Sequence, residues 1–365
     1  MNPYLFAVAL SLLVYRAHRR RSLTPPAIAA AILTACVHGA HAYNLPFVLL
    51  ITFYALGTAA TKVKHDVKAK LTVSSTGAGG GEGARGATQV FANSAVASVL
   101  AAASAWRGAG EPGCFGGELL MVGIIVCVPP PFLARVGWGW GNRRLTRSGR
   151  NYAAVTADTL SSELGILSRG GPRLVTTLRR CPPGTNGGVS ATGLLAGAAG
   201  AAAIAAVSAA LLPWCDAWPL ADRARFAGFV AAMGTAGSVL DSVLGAVLQA
   251  SVVDARSGKI VEAPRGGKVL VRPSQTELTV ASEIRSRFGR APSTAVGAER
   301  RKERETDPAH AHDEPSRRIA TGRNVLSNNG VNFAMAALTS AAAMVLAGWW
   351  WHGQPMAVVA ELTGA

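Results

Sequence analysis

Residues 191–212 read ATGLLAGAAGAAAIAAVSAALL, and this stretch decides the fold class because it contains no charged residue. A helix needs about 20 apolar residues to cross the ~30 Å hydrocarbon core of a bilayer. The stretch is long enough for this, and it consists mainly of Ala, Gly, Leu and Val. Small residues allow helix backbones to approach closely in lipid, where no hydrophobic force drives helices together. The stretch therefore predicts a membrane-spanning helix that packs against others.

Apolar blocks of this kind alternate with charged loops along the whole chain. Of the 365 residues 50% are apolar and only 15% are charged, whereas soluble domains usually carry about 25% charged residues. We therefore predict an all-α fold, a polytopic transmembrane helix bundle of about 6–8 spans that forms a single integral membrane domain over residues 1–365. The expected spans lie near residues 3–15, 25–42, 45–60, 88–106, 115–136, 189–212, 225–250 and 331–351.

The net charge of +16 comes from Lys and Arg in the loops beside these blocks. This distribution follows the positive-inside rule, and no aromatic residues interleave with the basic ones as nucleic-acid stacking would require. We therefore expect membrane lipids and no nucleic acid as partners. If residues 151–167 enter the membrane and return, every basic loop faces the cytosol and the N-terminus lies outside. A full crossing would place the basic loop 168–186 outside, so a re-entrant or broken polar helix segment is favoured.

Several segments are expected to lie outside the membrane. Residues 71–86 predict a flexible Gly-rich loop, 137–150 a connector insertion, and 251–325 a long basic cytosolic loop in which 287–320 are disordered. The five cysteines have no ligand spacing, which indicates neither a zinc site nor a disulfide framework. No transit peptide is evident, so we expect an endomembrane such as the ER; the sequence leaves the oligomeric state open.

Three acidic residues, Asp158, Glu163 and Asp241, fall in segments expected at membrane depth, where ionisable residues are costly and usually functional. Asp241 shares one helix face with glycines four residues before and after it. Asp158 and Glu163 lie about 140° apart on an ideal helix, so they face one ion only if the helix breaks or the ligand is large. Acids on Gly/Ser/Thr-rich faces favour a hard cation such as Mg²⁺; the alternative is structural pairing with Arg or Lys.

A glycine-rich run, Pro182-Pro-Gly-Thr-Asn-Gly-Gly-Val-Ser190, leads into the next predicted span. Successive backbone N–H groups and the positive end of a helix dipole there would favour an anion such as phosphate. Thr185 and Asn186 add side-chain donors beside Gly187 and Gly188. No G-x-x-x-x-G-K-[ST] motif occurs, so the usual soluble nucleotide-binding fold is not indicated.

Further polar clusters stand at the ends of predicted spans. Lys62, Lys64 and Lys68 would bind either phosphate or anionic lipid head groups, and the sequence favours neither. Arg85 begins an i,i+4 series with Gln89 and Asn93 that would extend this surface. The predicted last span opens with amides that helix capping explains only in part, which suggests a lining; they are Asn328, Asn329 and Asn332. Acids, cations and a glycine run beside an apolar bundle are the groups that phosphoryl transfer requires.

Six ordered motifs resemble the transmembrane protein 19 family, which includes relatives of the plant phytyl-phosphate kinase. They are LGTAATKVKHDVKAKL (56–71), QVFANS (89–94), ADTLSSELG (157–165), PRLVTTLRRCPPGTNGGVS (172–190), GTAGSVLDSVLGAVLQ (234–249) and NVLSNNGVNF (324–333). The resemblance covers about residues 20–350 and excludes insertions at 137–150 and 287–320.

The resemblance implies a membrane kinase that converts an isoprenyl monophosphate, of phytyl or geranylgeranyl type, to its diphosphate with CTP or ATP and Mg²⁺. Carried to this chain, it implies that Asp158, Glu163 and Asp241 hold the metal. Phosphates would be bound by Arg173, Thr185, Asn186, Gly187, Gly188 and the three lysines. The alternatives are a transporter or lipid-binding protein that uses the same polar helices, and a cytidylyltransferase acting on phosphatidate-like lipids.

Overall fold

The computed structural model describes residues 2–41, 44–75, 83–107, 115, 125, 152–269, 271 and 317–353. The connector 137–150 lies outside these residues, as does nearly all of the span expected at 115–136. The helices are α1 (Pro3–Arg19), α2 (Pro25–Gly39), α3 (Leu45–Lys62), α4 (His65–Lys68), α5 (Ala87–Arg107), α6 (Ala153–Gly165), α7 (Ala191–Leu211), α8 (Leu220–Leu248) and α9 (Asn328–His352). The strands are β1 (Thr72–Ser74), β2 (Arg173–Leu174), β3 (Gly188–Val189), β4 (Ser251–Asp254), β5 (Ile260–Glu262) and β6 (Arg317–Thr321).

The helical bundle agrees with the predicted membrane protein. Within the described residues, α3, α7, α8 and α9 are long and apolar enough to cross a bilayer, while α2 and α5 contain shorter apolar stretches. The predicted bounds fall within a few residues of the observed ones, and α8 differs most because it begins at Leu220, five residues before the expected start. The prediction of a polytopic transmembrane helix bundle is confirmed.

Helix α6 lies at the centre of this bundle, packed against α3, α7 and α8. Its 13 residues rise about 20 Å, which is less than the ~30 Å of a hydrocarbon core. Its first half is fully buried, and its second half is partly accessible. Small residues permit this packing: a Cβ on Gly197 of α7 would lie 3.0 Å from the Ala157 carbonyl oxygen. The observed helix fits the predicted half-spanning segment.

A four-stranded sheet in the order β1-β5-β4-β6 is the main departure from the all-α prediction. Strand β1 pairs with β5 in parallel, and β4 pairs antiparallel with β5 and β6. The sheet uses residues from the segment expected as a flexible loop at 71–86 and from the basic loop at 251–325. Strand β6 also takes the end of the segment expected to be disordered at 287–320. These strands have three to five residues, too few to show a clear alternating pattern.

The opposite end of the bundle holds an aromatic cluster where α7 ends, α8 begins and α9 ends. Phe115, Trp214, Trp218 and Phe226 have ring centroids 5.1–6.3 Å apart, and Trp351 packs against two of them. Cys215 lies in this region and is disulfide-bonded. At least one cysteine is therefore part of a disulfide, which the spacing of the cysteines in the sequence did not indicate.

Candidate functional site

A polar cavity of about 350 Å³ opens at the end of the bundle where α3 ends and α5 and α9 begin. The helices α6 and α8, the loop Gly184–Gly188 (the glycine loop) and the four-stranded sheet complete its walls. Its charged lining residues, among those the structure describes, are Lys68, Arg85, Asp158, Glu163, Asp241, Glu262 and Lys268. The complete lining, charged and uncharged, includes residues from all six of the motifs described above.

Asp158 of α6 and Asp241 of α8 form a carboxylate pair within hydrogen-bonding reach of each other. The two helices meet through small residues, since a Cβ on Gly237 of α8 would come within 2.5 Å of the Ala154 side chain. This close approach brings the two acids together one turn further along each helix. The Asp241 Oδ1 atom is buried and has no hydrogen-bond partner, an arrangement that is costly unless a ligand satisfies it.

Glu163 lies apart from this pair and forms an ion pair with Lys68. The Lys68 Nζ also donates to the carbonyl oxygens of Ala60 (3.1 Å) and Thr61 (2.9 Å) at the end of α3. Among the described residues, no three His, Cys, Asp or Glu side chains gather closely enough to hold a metal ion. The structure thus brings together two of the three acids expected at a metal site and gives the third a different partner.

The glycine loop lies directly on α8. Gly187 has φ +76°, and a Cβ there would clash with Ala246 and the Ser242 carbonyl oxygen, so only glycine fits. The expected row of free N–H groups is not what the structure has. The Thr185 amide donates to the Pro182 carbonyl oxygen and the Gly188 amide to that of Thr185, while the Asn186 amide donates to Ser251 Oγ at 2.9 Å. The Thr185 hydroxyl and Asn186 amide side chain also bond backbone oxygens. The main role of the glycine loop is therefore to form part of the cavity wall, because several of its N–H groups already donate to protein oxygens and are not available to an anion.

Arg85 is the cation best placed for an anion in the cavity. Its Nη2 donates to Thr61 Oγ1 at 3.2 Å, and its Nη1 would lie 3.6 Å from a Cβ on Gly57, so the guanidinium lies over α3. No carboxylate pairs with Arg85 among the described ion pairs. The side chain is half-buried, so its charge is only partly screened by solvent.

Three other predicted phosphate-binding cations are not brought to the cavity. Lys62 and Lys64 are exposed outside it, and Arg173 is exposed with its Nη1 donating to the Leu178 carbonyl oxygen. Lys64 has φ +47° and precedes α4, so it does not continue the helix that carries Lys68. Lys68 is buried and carries the ion pair instead.

The predicted amide lining is present at the cavity. Asn332 Nδ2 of α9 donates to Asn93 Oδ1 of α5 at 3.1 Å, and Asn329 Nδ2 donates to the Arg265 carbonyl oxygen. Asn328 also lines the cavity, and the series Arg85, Gln89 and Asn93 lies on its α5 side. Sequence analysis missed Lys268, whose Nζ donates to the carbonyl oxygens of Asn324 and Val325. No motif marked this lysine within its basic loop.

Residues 8–340 match the family described as integral membrane protein DUF92. The chain belongs to this family. It is similar to Protein PGR of Arabidopsis thaliana, at 29% identity over 264 residues that cover 71% of this chain and 84% of the relative. It is also similar to an uncharacterised membrane protein of Methanocaldococcus jannaschii, at 36% identity over 117 residues, 32% of this chain and 44% of the relative. No solved structure matches. The family resemblance inferred from the motifs is confirmed.

The carboxylate pair of this DUF92 protein suits a divalent cation. Mg²⁺ is commonly held by one or two carboxylates together with substrate phosphates and water, not by a complete protein cage. Asp158 and Asp241 supply such a pair, and the unpartnered Asp241 Oδ1 is an oxygen donor left for a ligand. The residues therefore fit Mg²⁺ with Asp158 and Asp241 as its ligands and Glu163 outside the set.

Proposed function

We propose that this DUF92 protein is a membrane phosphotransferase that phosphorylates an isoprenyl monophosphate to its diphosphate with CTP or ATP and Mg²⁺. One observation carries the proposal. The carboxylate pair, with its unpartnered Asp241 oxygen, opens into the same cavity as the guanidinium of Arg85, which has no carboxylate partner among the described ion pairs. Oxygen ligands for a cation next to a free cation for phosphate are the two features that phosphoryl transfer needs most.

In this reaction an oxygen of the isoprenyl phosphate bonds to the γ-phosphorus of the donor, while the bond from that phosphorus to the β-bridging oxygen breaks. CDP or ADP leaves. The acceptor oxygen is already ionised, so no protein base is required. Asp158 and Asp241 would hold Mg²⁺, which would supply positive charge to offset that of the phosphate oxygens. Arg85 binds a phosphate through its planar fork of N–H groups, and Asn328 and Asn332 are available to orient the donor.

The position of the disulfide supports a proposed orientation in the membrane. Cys215 precedes α8, and Asp241 lies 21 residues after the first residue of this helix. The disulfide and the cavity are therefore separated by about 30 Å along the helix. Disulfides persist in oxidising compartments, which supports an outward or lumenal position for residues 213–224. The cavity and the 251–325 segment would then face the cytosol, where nucleotides are available, with the ER as the proposed membrane.

A second candidate, a transporter, is favoured by one feature. Helix α6 is buried, polar at one end and too short to cross the membrane, as the broken helices of transporter substrate sites are. A transporter would move an anionic lipid or ion through the cavity without forming a diphosphate.

The test is phosphate transfer by purified protein in liposomes. Wild type, Asp241→Asn and Asp222→Asn are incubated with Mg²⁺, labelled CTP or ATP, and a panel of isoprenyl monophosphates. Asp222 lies on the same helix but is an exposed residue paired with Arg225, so it is a matched control. We expect diphosphate from wild type and Asp222→Asn, and a loss on the order of 100-fold or more in Asp241→Asn. Folded wild type that yields no diphosphate from any acceptor would refute the kinase, and flux of an anion across the liposome would then favour transport.

A further inference from the structure

The ion pair between Lys68 and Glu163 has a geometry unlike that of a substrate site. Lys68 Nζ contacts Glu163 Oε2 and two carbonyl oxygens at the end of α3, so its three N–H donors already have acceptors. The second Glu163 oxygen, Oε1, lies 3.1 Å from Thr61 Oγ1. Lys68 is buried, and the Glu163 side chain is only 17% exposed. Lys68 therefore has no donor left for a substrate, and each Glu163 oxygen already has a protein partner.

The two residues also stand at a junction between the bundle and the sheet. Lys68 ends α4, and β1 begins four residues later at Thr72. Thr72 packs beside Gly184 of the glycine loop, and Ser251 of β4 bonds the Asn186 amide of the same loop. The sheet therefore holds the glycine loop from one side, while the Lys68–Glu163 pair joins the start of that sheet to α6.

We infer that Lys68 and Glu163 are positioning residues, which hold α6 and its Asp158 in register with α3, the sheet and the glycine loop. Neither residue binds the metal ion or a phosphate. Glu163 lies five positions after Asp158 on α6, so a shift of the helix at Glu163 moves the carboxylate pair. The expected effect of this positioning on catalysis rests on the proposed function, whereas the contact between Lys68 and Glu163 does not.

A double-mutant cycle on thermal unfolding in detergent tests the contact itself. The variants are Glu163→Gln, Lys68→Met and the double variant, beside an equivalent cycle on the exposed pair Asp222→Asn and Arg225→Met. Removing one member of a buried ion pair leaves the other charge unpaired, whereas removing both does not. We expect each single variant to unfold at a lower temperature than wild type and the double variant to recover part of the loss. The Asp222–Arg225 cycle should show little coupling.

Binding of Mn²⁺, followed by electron paramagnetic resonance without nucleotide or lipid, separates positioning from ligation. We expect Asp158→Asn to weaken Mn²⁺ binding on the order of tenfold or more, and Glu163→Gln to change it by less than about threefold. In turnover assays, Glu163→Gln should lower kcat on the order of tenfold and leave the Mg²⁺ concentration needed for half-maximal activity unchanged. The double variant Glu163→Gln/Lys68→Met should recover part of the lost kcat.

Two results would overturn the inference. One is Mn²⁺ binding that Glu163→Gln weakens as much as Asp158→Asn does, which would make Glu163 a ligand. The other is strict additivity of the two single variants in the unfolding cycle. If wild type shows no phosphate transfer at all, the proposed function fails, and the unfolding cycle still decides whether the pair is coupled.

Discussion

Replacing Arg85 by Gln removes a half-buried guanidinium, the one that reaches the cavity among the residues the structure describes. The cost of this change can be calculated from the structure. The Nη2 atom keeps one bond, to Thr61 Oγ1 at 3.2 Å, which leaves the remaining N–H groups for an anion. A hydrogen bond to a charged group is worth about 1.5–3 kcal/mol, and each 1.4 kcal/mol corresponds to about tenfold. The loss of one such bond to a phosphate would therefore make Arg85→Gln lower kcat/KM on the order of 10- to 100-fold.

The assay is diphosphate formation in liposomes at several concentrations of donor and acceptor. Arg85→Lys should fall between wild type and Arg85→Gln, because Lys keeps the charge but lacks the planar fork. Arg173→Gln is the matched control, since Arg173 is exposed outside the cavity and bonds only the Leu178 carbonyl oxygen in the described contacts. Arg173→Gln should stay within about twofold of wild type.

Equal losses in Arg85→Gln and Arg173→Gln would refute this reasoning, because Arg85 is half-buried at the cavity whereas Arg173 is exposed outside it. Activity of Arg85→Gln at the wild-type level would also refute it. A loss confined to the KM of one substrate would instead identify whether the donor or the acceptor phosphate lies against the guanidinium.

Two further predictions concern stability. Gly187→Ala should lower the free energy of unfolding by about 1–3 kcal/mol, because the new Cβ would clash with α8 and Gly187 has a positive φ. Gly170→Ala is the control and should have little effect, since no atom lies within 4 Å of a Cβ at that position. An equal effect at both sites would contradict the packing described. Cys215→Ser should lower the free energy of unfolding by about 2–4 kcal/mol and should change the mobility of the protein on a non-reducing gel. Unchanged mobility would mean that Cys215 forms no disulfide.

The helices were predictable because lipid imposes a simple requirement on the sequence. Charge-free stretches such as 191–212 have to satisfy their backbone groups internally, so they form helices whatever their neighbours are. Asp241 was predictable for the related reason that an acid among glycines at membrane depth is costly. Its partnership with Asp158 depends on the close contact of Gly237 with Ala154, which no single-sequence pattern states.

What the sequence did not reveal depends on contacts between distant segments. Glu163 bonds Lys68 across 95 residues, and only that contact shows that the acid belongs to an ion pair and not to the carboxylate pair. Strand β1 pairs with β5, almost 190 positions later, and each strand has three residues. Such short strands have weak local signals, so tertiary pairing decides them.

The charges around the cavity indicate the order in which ligands would enter. The described lining has four carboxylates, Asp158, Glu163, Asp241 and Glu262, against three cations, Lys68, Arg85 and Lys268. Because Lys68 and Glu163 neutralise each other, three of the described lining carboxylates remain against Arg85 and Lys268, and they would repel a free triphosphate. A divalent cation reverses this balance, so the nucleotide should bind as its Mg²⁺ complex. Nucleotide binding to wild type should therefore be lost in EDTA, whereas Asp158→Asn/Asp241→Asn should bind nucleotide with little dependence on Mg²⁺; binding to wild type that EDTA leaves unchanged would refute this order.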